Sequence, residues 1–360
     1  MRITDPFNGA ILNHHDGRQT DDSLTIAVRG EARLNDRVTL NGQVCRRVGT
    51  EFSAPITLTA KETEVVAVAE GSHGRSEHRI RVVWDRYSRR RYRMSIDDNS
   101  FFLRDIVQKR YKSLFDCFYL KILRDLHAKY GTKYTINLFF ETPEADFALD
   151  QFPDRYKGEW ADNADWLKLT FHAWREFPGR PYQYASPEHL LHDLDGVAAE
   201  IHRFAGERTW CPPTILHWAM VQPDCYAALA SRGVRVLSAL SVKLSGGWDL
   251  HNMLADDQCE WLSRHDAVMD MGSHIAFSNC DIVLNNTPVD RIAAKLEAST
   301  KSPQTSEILD LLTHEQYFWP FYSSYVADHA QRLDTAFAWA TANGYEPIFF
   351  HEGLLGGRDW

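Results

Sequence analysis

No stretch of the chain approaches the ~18 consecutive apolar residues of a membrane-spanning helix, and the start, Met1-Arg2-Ile3-Thr4-Asp5, lacks the apolar core of a signal peptide. As written, the sequence therefore reads as a soluble cytoplasmic protein with no membrane partner; a chain trimmed of its leader would look the same and would work outside the cytoplasm. Positive charge is also in short supply. The 40 Lys and Arg against 49 Asp and Glu leave a net charge of −9, which excludes the strongly basic field that nucleic acid or anionic lipid would need. A neutral or cationic partner fits better. The six cysteines, Cys45, Cys117, Cys211, Cys225, Cys259 and Cys280, are scattered with no C-x-x-C pair, so a zinc knuckle and a dithiol redox motif are excluded. No G-x-G-x-x-G follows an apolar run, and no internal repeat or low-complexity tract is present.

What is present is ordinary globular composition, 44% hydrophobic and 25% charged over 360 residues, enough for about two domains. The first eighty-odd residues alternate apolar and polar side chains. Leu24, Ile26 and Val28 oppose Thr25 and Arg29, and Ile80, Val82 and Trp84 alternate with Arg79, Arg81 and Val83. Asn41-Gly42 supplies the positive φ angles of a tight hairpin. This predicts a small antiparallel all-β sandwich over residues 1–88. The basic run Arg86, Arg89, Arg90, Arg91 and Arg93, interleaved with Tyr87 and Tyr92, reads as an exposed linker or a domain-interface strand at the boundary, in preference to a nucleic-acid or phosphate patch.

Residues 89–360 change to alternating strand and helix patterns, the signature of α/β architecture with a parallel sheet. Leu114, Phe118, Ile122 and Leu126 mark a helix that Gly131 ends; Ser186-Pro187-Glu188 starts a helix running to about residue 206. Strands are predicted over 134–140, 214–218, 234–240, 308–313 and 347–350, and helices over 223–232 and 323–343. About seven or eight strands over roughly 270 residues suit a parallel barrel better than a dinucleotide-binding sheet. The stretch from Gly246 and Gly247 through Asp257 reads as a long loop of the kind that joins binding sites.

Parallel barrels carry their reactive groups where strands end. Five predicted strands end in ionisable residues: Asp97-Asp98, His172, His217, His314-Glu315 and His351-Glu352. A lone histidine after a strand is more often a hydrogen-bonded structural residue, and an Asp-Asp pair more often a turn. Convergence of all five on one rim would carry a desolvation cost that a divalent metal resolves. Two imidazoles and a carboxylate in an open site leave room for a water of lowered pKa, with the second aspartate free as base.

These residues resemble the polysaccharide deacetylase (NodB-homology) family of carbohydrate esterases, over about residues 92–352. The resemblance implies a deformed (β/α) barrel of about seven strands, hydrolysis of N- or O-acetyl groups on a carbohydrate, and a divalent cofactor, zinc first. Asp97-Asp98 matches the paired aspartates, which implies Asp97 as base and Asp98 as metal ligand; Leu312-Thr313-His314-Glu315 is similar to the late leucine-x-histidine motif, which implies His314 as general acid. Residues 208–213, Arg-Thr-Trp-Cys-Pro-Pro, are similar to the arginine and proline motif lining the groove. The family's two histidines four apart are replaced here by His172 and Glu176, so either Glu176 or His217 completes a metal site with Asp98 and His172, with His217 preferred, or the site is degenerate. A salt bridge with Arg175 or Arg180 is the bland role for Glu176. Arg208, Trp218, Tyr317 and Trp319 are the expected substrate contacts, on aromatic-rich rim loops. The N-terminal module resembles the bacterial immunoglobulin-like modules that accompany carbohydrate-active enzymes, through Asn8-Gly9, Val38-Thr39-Leu40-Asn41-Gly42 and the closing strand 79–84. Two rivals remain: a glycoside hydrolase pairing Asp97 with Glu176, Glu315 or Glu352, and an inactive sugar-binding protein on the same fold.

Overall fold

The computed structural model describes residues 1–353 and 355–357. The chain forms two units, one of residues Met1–Arg89 joined by Ala267–Ala276, the other of Arg90–Asp266 with Phe277–Gly353. No helix among the described residues is long and apolar enough to cross a membrane.

In the first unit, residues 1–89 form strands and no helix among the described residues. One five-stranded sheet is built around Leu24–Glu31 and Glu51–Leu58, the other around Glu62–Gly71 and Gly74–Trp84. Leu24, Ile26 and Val28 are buried while Arg29 is exposed, as the two-residue alternation requires. Asn41 (φ 45°) and Gly42 (φ 83°) turn the chain between Arg37–Leu40 and Gln43–Val44. The pairing is not wholly antiparallel: Ile11–Leu12 runs parallel to Val83–Trp84. Residues 267–276 join this unit through Met269 N–H, which donates to Gly9 O at 2.8 Å. The approach demands glycine, since a Cβ at position 9 would lie 2.0 Å from Met269 O.

The second unit is α/β. Its six-stranded sheet has the order Leu167–Ala173, Tyr134–Phe139, Arg91–Asn99, Ile308–His314, Ile282–Val283, with Glu346–Ile348 beside residues 91–93, and every pairing is parallel. Arg91–Asn99 and Tyr134–Phe139 are buried along their whole lengths although polar and apolar residues alternate in both, so Arg93, Ser95, Thr135 and Asn137 lie inside as well. Helices Phe118–Tyr130, ended by Gly131 at φ 71°, and Pro187–Phe204, capped by Ser186 Oγ on His189 N–H at 3.3 Å, stand where the cap residues put them.

Three expectations fail locally. Residues 214–218 are not a strand, because His217–Ala219 turn through a left-handed Trp218 (φ 64°). The last long helix is His329–Ala342, shorter than 323–343. Within the basic run, Arg86, Arg89 and Arg90 are exposed, but Arg91 and Arg93 are buried in the central strand. Arg93 forks onto Asp310 through Nε and Nη2, both at 2.6 Å, and covers the Phe350 ring at 4.5 Å. A carboxylate across the sheet, invisible in a local charge run, draws this arginine inside.

Candidate active site

Two irregularities in the sheet build the site. The register steps from Ile96↔Ile136 to Asn99↔Leu138, so three residues of the central strand oppose two of its neighbour, and Asp98 takes a left-handed φ of 59°. In a regular strand Asp97 and Asp98 would point to opposite faces; the bulge turns both into one pocket. The register also steps from Leu138↔Phe171 to Phe139↔Ala173, leaving His172 as the extra residue of a second bulge. Asn99 pins the first: its Nδ2 donates to Ile96 O (2.6 Å), Asp97 O (3.1 Å) and Asn137 O (3.2 Å), while its Oδ1 accepts from Tyr119 OH at 2.7 Å.

Asp98, His172 and His217 each offer a ligand atom, all within 4.8 Å of one another. Asp98 Oδ1 is buried without a hydrogen bond and faces His172 Nε2 at 3.2 Å and His217 Nδ1 at 3.4 Å. The far nitrogens fix the tautomers. His172 Nδ1 lies 2.9 Å from Ile215 O, and His217 Nε2 lies 3.1 Å from Glu176 O; carbonyls only accept, so both nitrogens carry the proton. The inner nitrogens, 3.2 Å apart, are then lone pairs aimed at each other and at a carboxylate oxygen. Such a cluster needs a shared proton or a cation. Burial disfavours the Asp98 carboxylate, yet its contacts with His172 and His217 and the field of His314 hold its pKa well below the ordinary carboxylate range. The donor set, one carboxylate and two oriented imidazoles with backbone second-sphere partners, fits a divalent metal.

Asp97 does not join the cluster. Its Oδ1 accepts from Ser95 Oγ at 3.0 Å and Asn137 Nδ2 at 2.6 Å, and burial raises its pKa although His172 and His314 pull the other way. His314 is its register partner across the sheet and is half-buried. His314 Nδ1 donates to Asn285 Oδ1 at 2.9 Å, leaving Nε2 for the pocket. Asn99, Asn137 and Asn285 thus orient the reactive groups. The sequence offers no signal for Asn137 or Asn285, since neither adjoins a motif.

The pocket has a volume of about 370 Å³. Asp97, Asp98, His172, His217 and His314 form its polar wall, Ile215, Leu240, Cys280 and Leu312 its apolar floor, and Phe177, Trp218, Tyr317 and Tyr322 its aromatic rim. Glu176 also lines it, but as a neighbour of the cluster: its Oε2 accepts from Gln316 Nε2 at 2.9 Å, and burial pushes its pKa up to about 7. Arg175 pairs instead with Glu141 and Arg180 with Asp249.

Other expected residues lie elsewhere. Arg208 is exposed, pairs with Asp165 and sits at the other end of the sheet; Leu169 bridges to Trp210 in parallel register, which sets Arg208 level with the start of a strand whose far end carries His172. Trp319 is buried, donating from Nε1 to Glu315 Oε1 at 3.0 Å and packing on Phe118. Glu315 caps a helix: it accepts from the backbone N–H groups of Ser100, Phe101 and Phe102 at 2.7, 2.9 and 2.6 Å. Glu352 pairs with Lys133, next to the first residue of its strand and so at the end remote from Asp97. Sequence position put these side chains beside strand ends, but register and helix capping direct them away from the pocket.

No protein-family model matches the chain, and no curated protein matches it. A solved structure, the Bacteroides ovatus GH5 xyloglucanase in complex with a XXXG heptasaccharide, aligns at 10% identity over 94% of this chain and 99% of that chain, with a TM-score of 0.22. A likeness that slight carries no argument about fold or activity.

Proposed function

We propose that the protein is a metal-dependent hydrolase that removes an acyl group, such as acetyl, from a carbohydrate. The observation that carries this reading is the convergence of Asp98 Oδ1, His172 Nε2 and His217 Nδ1, with both imidazoles turned by backbone carbonyls to present lone pairs. A divalent ion held there, zinc first, would polarise an acyl carbonyl and lower the pKa of water. Asp97, held by Ser95 and Asn137, takes the proton from the attacking water. His314, with Nδ1 committed to Asn285, delivers a proton from Nε2 to the departing amine or hydroxyl. The raised pKa of Asp97 suits a base that returns its proton.

The finer architecture belongs to the same reading. A deformed barrel is supported by backbone hydrogen bonds that continue past the six strands: Leu169 N–H to Thr209 O, Ser238 N–H to Thr214 O, Cys280 N–H to Ala239 O, and Asp281 N–H to Asp310 O, which returns to the strand beside Asp97. An immunoglobulin-like sandwich is supported in the first unit by its two five-stranded sheets.

The test is elemental mass spectrometry of the purified protein beside Asp98→Ala and His172→Ala, followed by assay of acetate released from acetylated sugars. About one metal equivalent in the wild type and its loss in both variants is expected; a wild type that stays metal-free after reconstitution overturns the reading. Glu176, with a pKa of about 7 in the pocket, favours one second reading, paired-carboxylate glycoside hydrolysis with Asp97. Glycoside cleavage that survives chelation would establish it.

A further inference from the structure

The chain after Leu240, long and glycine-bearing in sequence, folds into a hairpin of Val242–Leu244 against Gly247–Asp249 whose far end is tied to the pocket mouth. Leu240 and Ser241 N–H both donate to Leu250 O at 3.0 Å, and Asn252 N–H donates to Ala219 O at 2.6 Å. Asp249 at the hairpin's end takes Arg180 in a fork, Nη1 at 2.8 Å and Nη2 at 2.7 Å. The guanidinium so held lies over the indole of Trp218, 5.5 Å from the ring centroid. Gly179 passes the indole edge closely enough that a Cβ there would sit 3.4 Å from Nε1. Trp218 follows His217 directly, lines the pocket and is 46% exposed.

The backbone holding this ring is costly. Trp218, Ala219 and Arg180 have φ of 64°, 45° and 57°, each in the left-handed region, at about 1 kcal/mol or more per residue. A buried indole could offset such a cost by leaving water; one left nearly half exposed offsets less. Three elements therefore converge to hold an accessible aromatic face in place beside the cluster. The chemistry of that face is apolar: Asp249 balances the charge of Arg180, and among the described residues lining the pocket there is no lysine or arginine to pair with an acidic sugar. A pyranose ring has a matching C–H face and a hydroxyl rim; Glu176, Gln316, Tyr317 and Tyr322 line the same pocket with groups that can meet hydroxyls.

We propose that Trp218, backed by Arg180 and Asp249, is a preformed stacking subsite for an uncharged pyranose ring next to the candidate metal cluster, with Arg180 and Asp249 as positioning residues. This rests on the deacylase reading of the pocket and adds the substrate class to it: a neutral sugar ring, not an acidic sugar or a small acyl ester.

The test is calorimetric titration of the full-length, zinc-reconstituted protein with tri-N-acetylchitotriose, cellotriose and trigalacturonate, with zinc content measured on the same samples. An uncharged trisaccharide is expected to bind, with trigalacturonate weaker. Trp218→Ala should weaken that binding about tenfold and Trp218→Phe, which keeps an aromatic face, less than about threefold. Asp249→Asn and Arg180→Lys, which keeps the charge but not the fork, should each weaken it about threefold, with far-UV circular dichroism unchanged. Absence of binding by either uncharged sugar, equal affinity in Trp218→Ala, or Trp218→Leu matching Trp218→Phe overturns the proposal. Zinc retained without sugar binding removes the subsite and leaves the metal site standing; sugar binding that depends on Trp218 in a protein that takes up no zinc does the reverse.

Discussion

Asp98 combines a left-handed backbone, a buried carboxylate oxygen without a hydrogen bond, and two imidazole nitrogens within 3.4 Å of that oxygen. Each of the first two features costs free energy, and a cation would relieve the second. Removing the negative charge while keeping the shape should therefore disarm the cluster. Asp98→Asn is expected to lower bound metal from about one equivalent to below about one tenth, and His217→Ala to do the same. Glu176→Gln should keep the metal, because its carboxyl bonds to Gln316 and only its backbone carbonyl touches His217. Elemental analysis after dialysis checks all three; metal lost from Glu176→Gln would make that residue the ligand in place of His217.

Between elements, side chains far apart in sequence take on structural work that motifs alone would assign to catalysis. Glu315 accepts three backbone N–H groups at the start of helix Phe101–Lys109 and a fourth bond from Trp319. Leaving those buried donors unmet, Glu315→Ala should cost about 2–4 kcal/mol in urea denaturation while metal content stays unchanged; a catalytic role would instead leave stability intact and abolish turnover. Arg93 and Asp310 join two neighbouring strands, with Ser278 Oγ also donating to Asp310 Oδ2 at 2.7 Å. Arg93→Met alone should destabilise by about 3–5 kcal/mol, because it strands a buried carboxylate. Arg93→Met with Asp310→Leu should recover at least half of that loss, and a double-mutant cycle by urea unfolding measures it.

For the molecule as a whole, the end of the sheet remote from the pocket sets a pH dependence of folding. Asp266 Oδ2 accepts N–H from Glu307 and Ile308, and burial raises its pKa from 3.8 to about 8; Asp281, which accepts from Asp310 N–H, is also raised by burial. The folded chain thus holds protons that the unfolded chain releases. The stability they contribute is complete below about pH 4 and lost as pH rises toward about 8, at no more than about 1.4 kcal/mol per pH unit for one carboxyl. The unfolding temperature should fall across that window. Asp266→Asn, which keeps an acceptor for both N–H groups, should flatten the fall, and an unchanged slope would move the effect to other groups.

Local pattern alone determined a good deal. The alternation of Leu24, Ile26 and Val28, the Asn41-Gly42 turn, the Ser186 cap and the Gly131 stop are set by sterics and hydrogen bonding within a few residues, so they could be read directly. So could the residue types that follow apolar runs: Asp97-Asp98, His172, His217 and His314 each do, and these five residues line one pocket, His217 from a turn and not from a strand end. Tertiary structure decided which strand ends share that pocket. Arg208 and Glu352 fall at the opposite end of the sheet because parallel register, not sequence spacing, sets the level of one strand against the next. Bulges at Asp98 and His172 leave no trace in composition, yet they bring both side chains into the pocket. Glu315 and Arg93 are committed to partners 215 and 217 residues away. Long-range pairing of this kind depends on which surfaces meet, and that is settled only when the whole chain is folded.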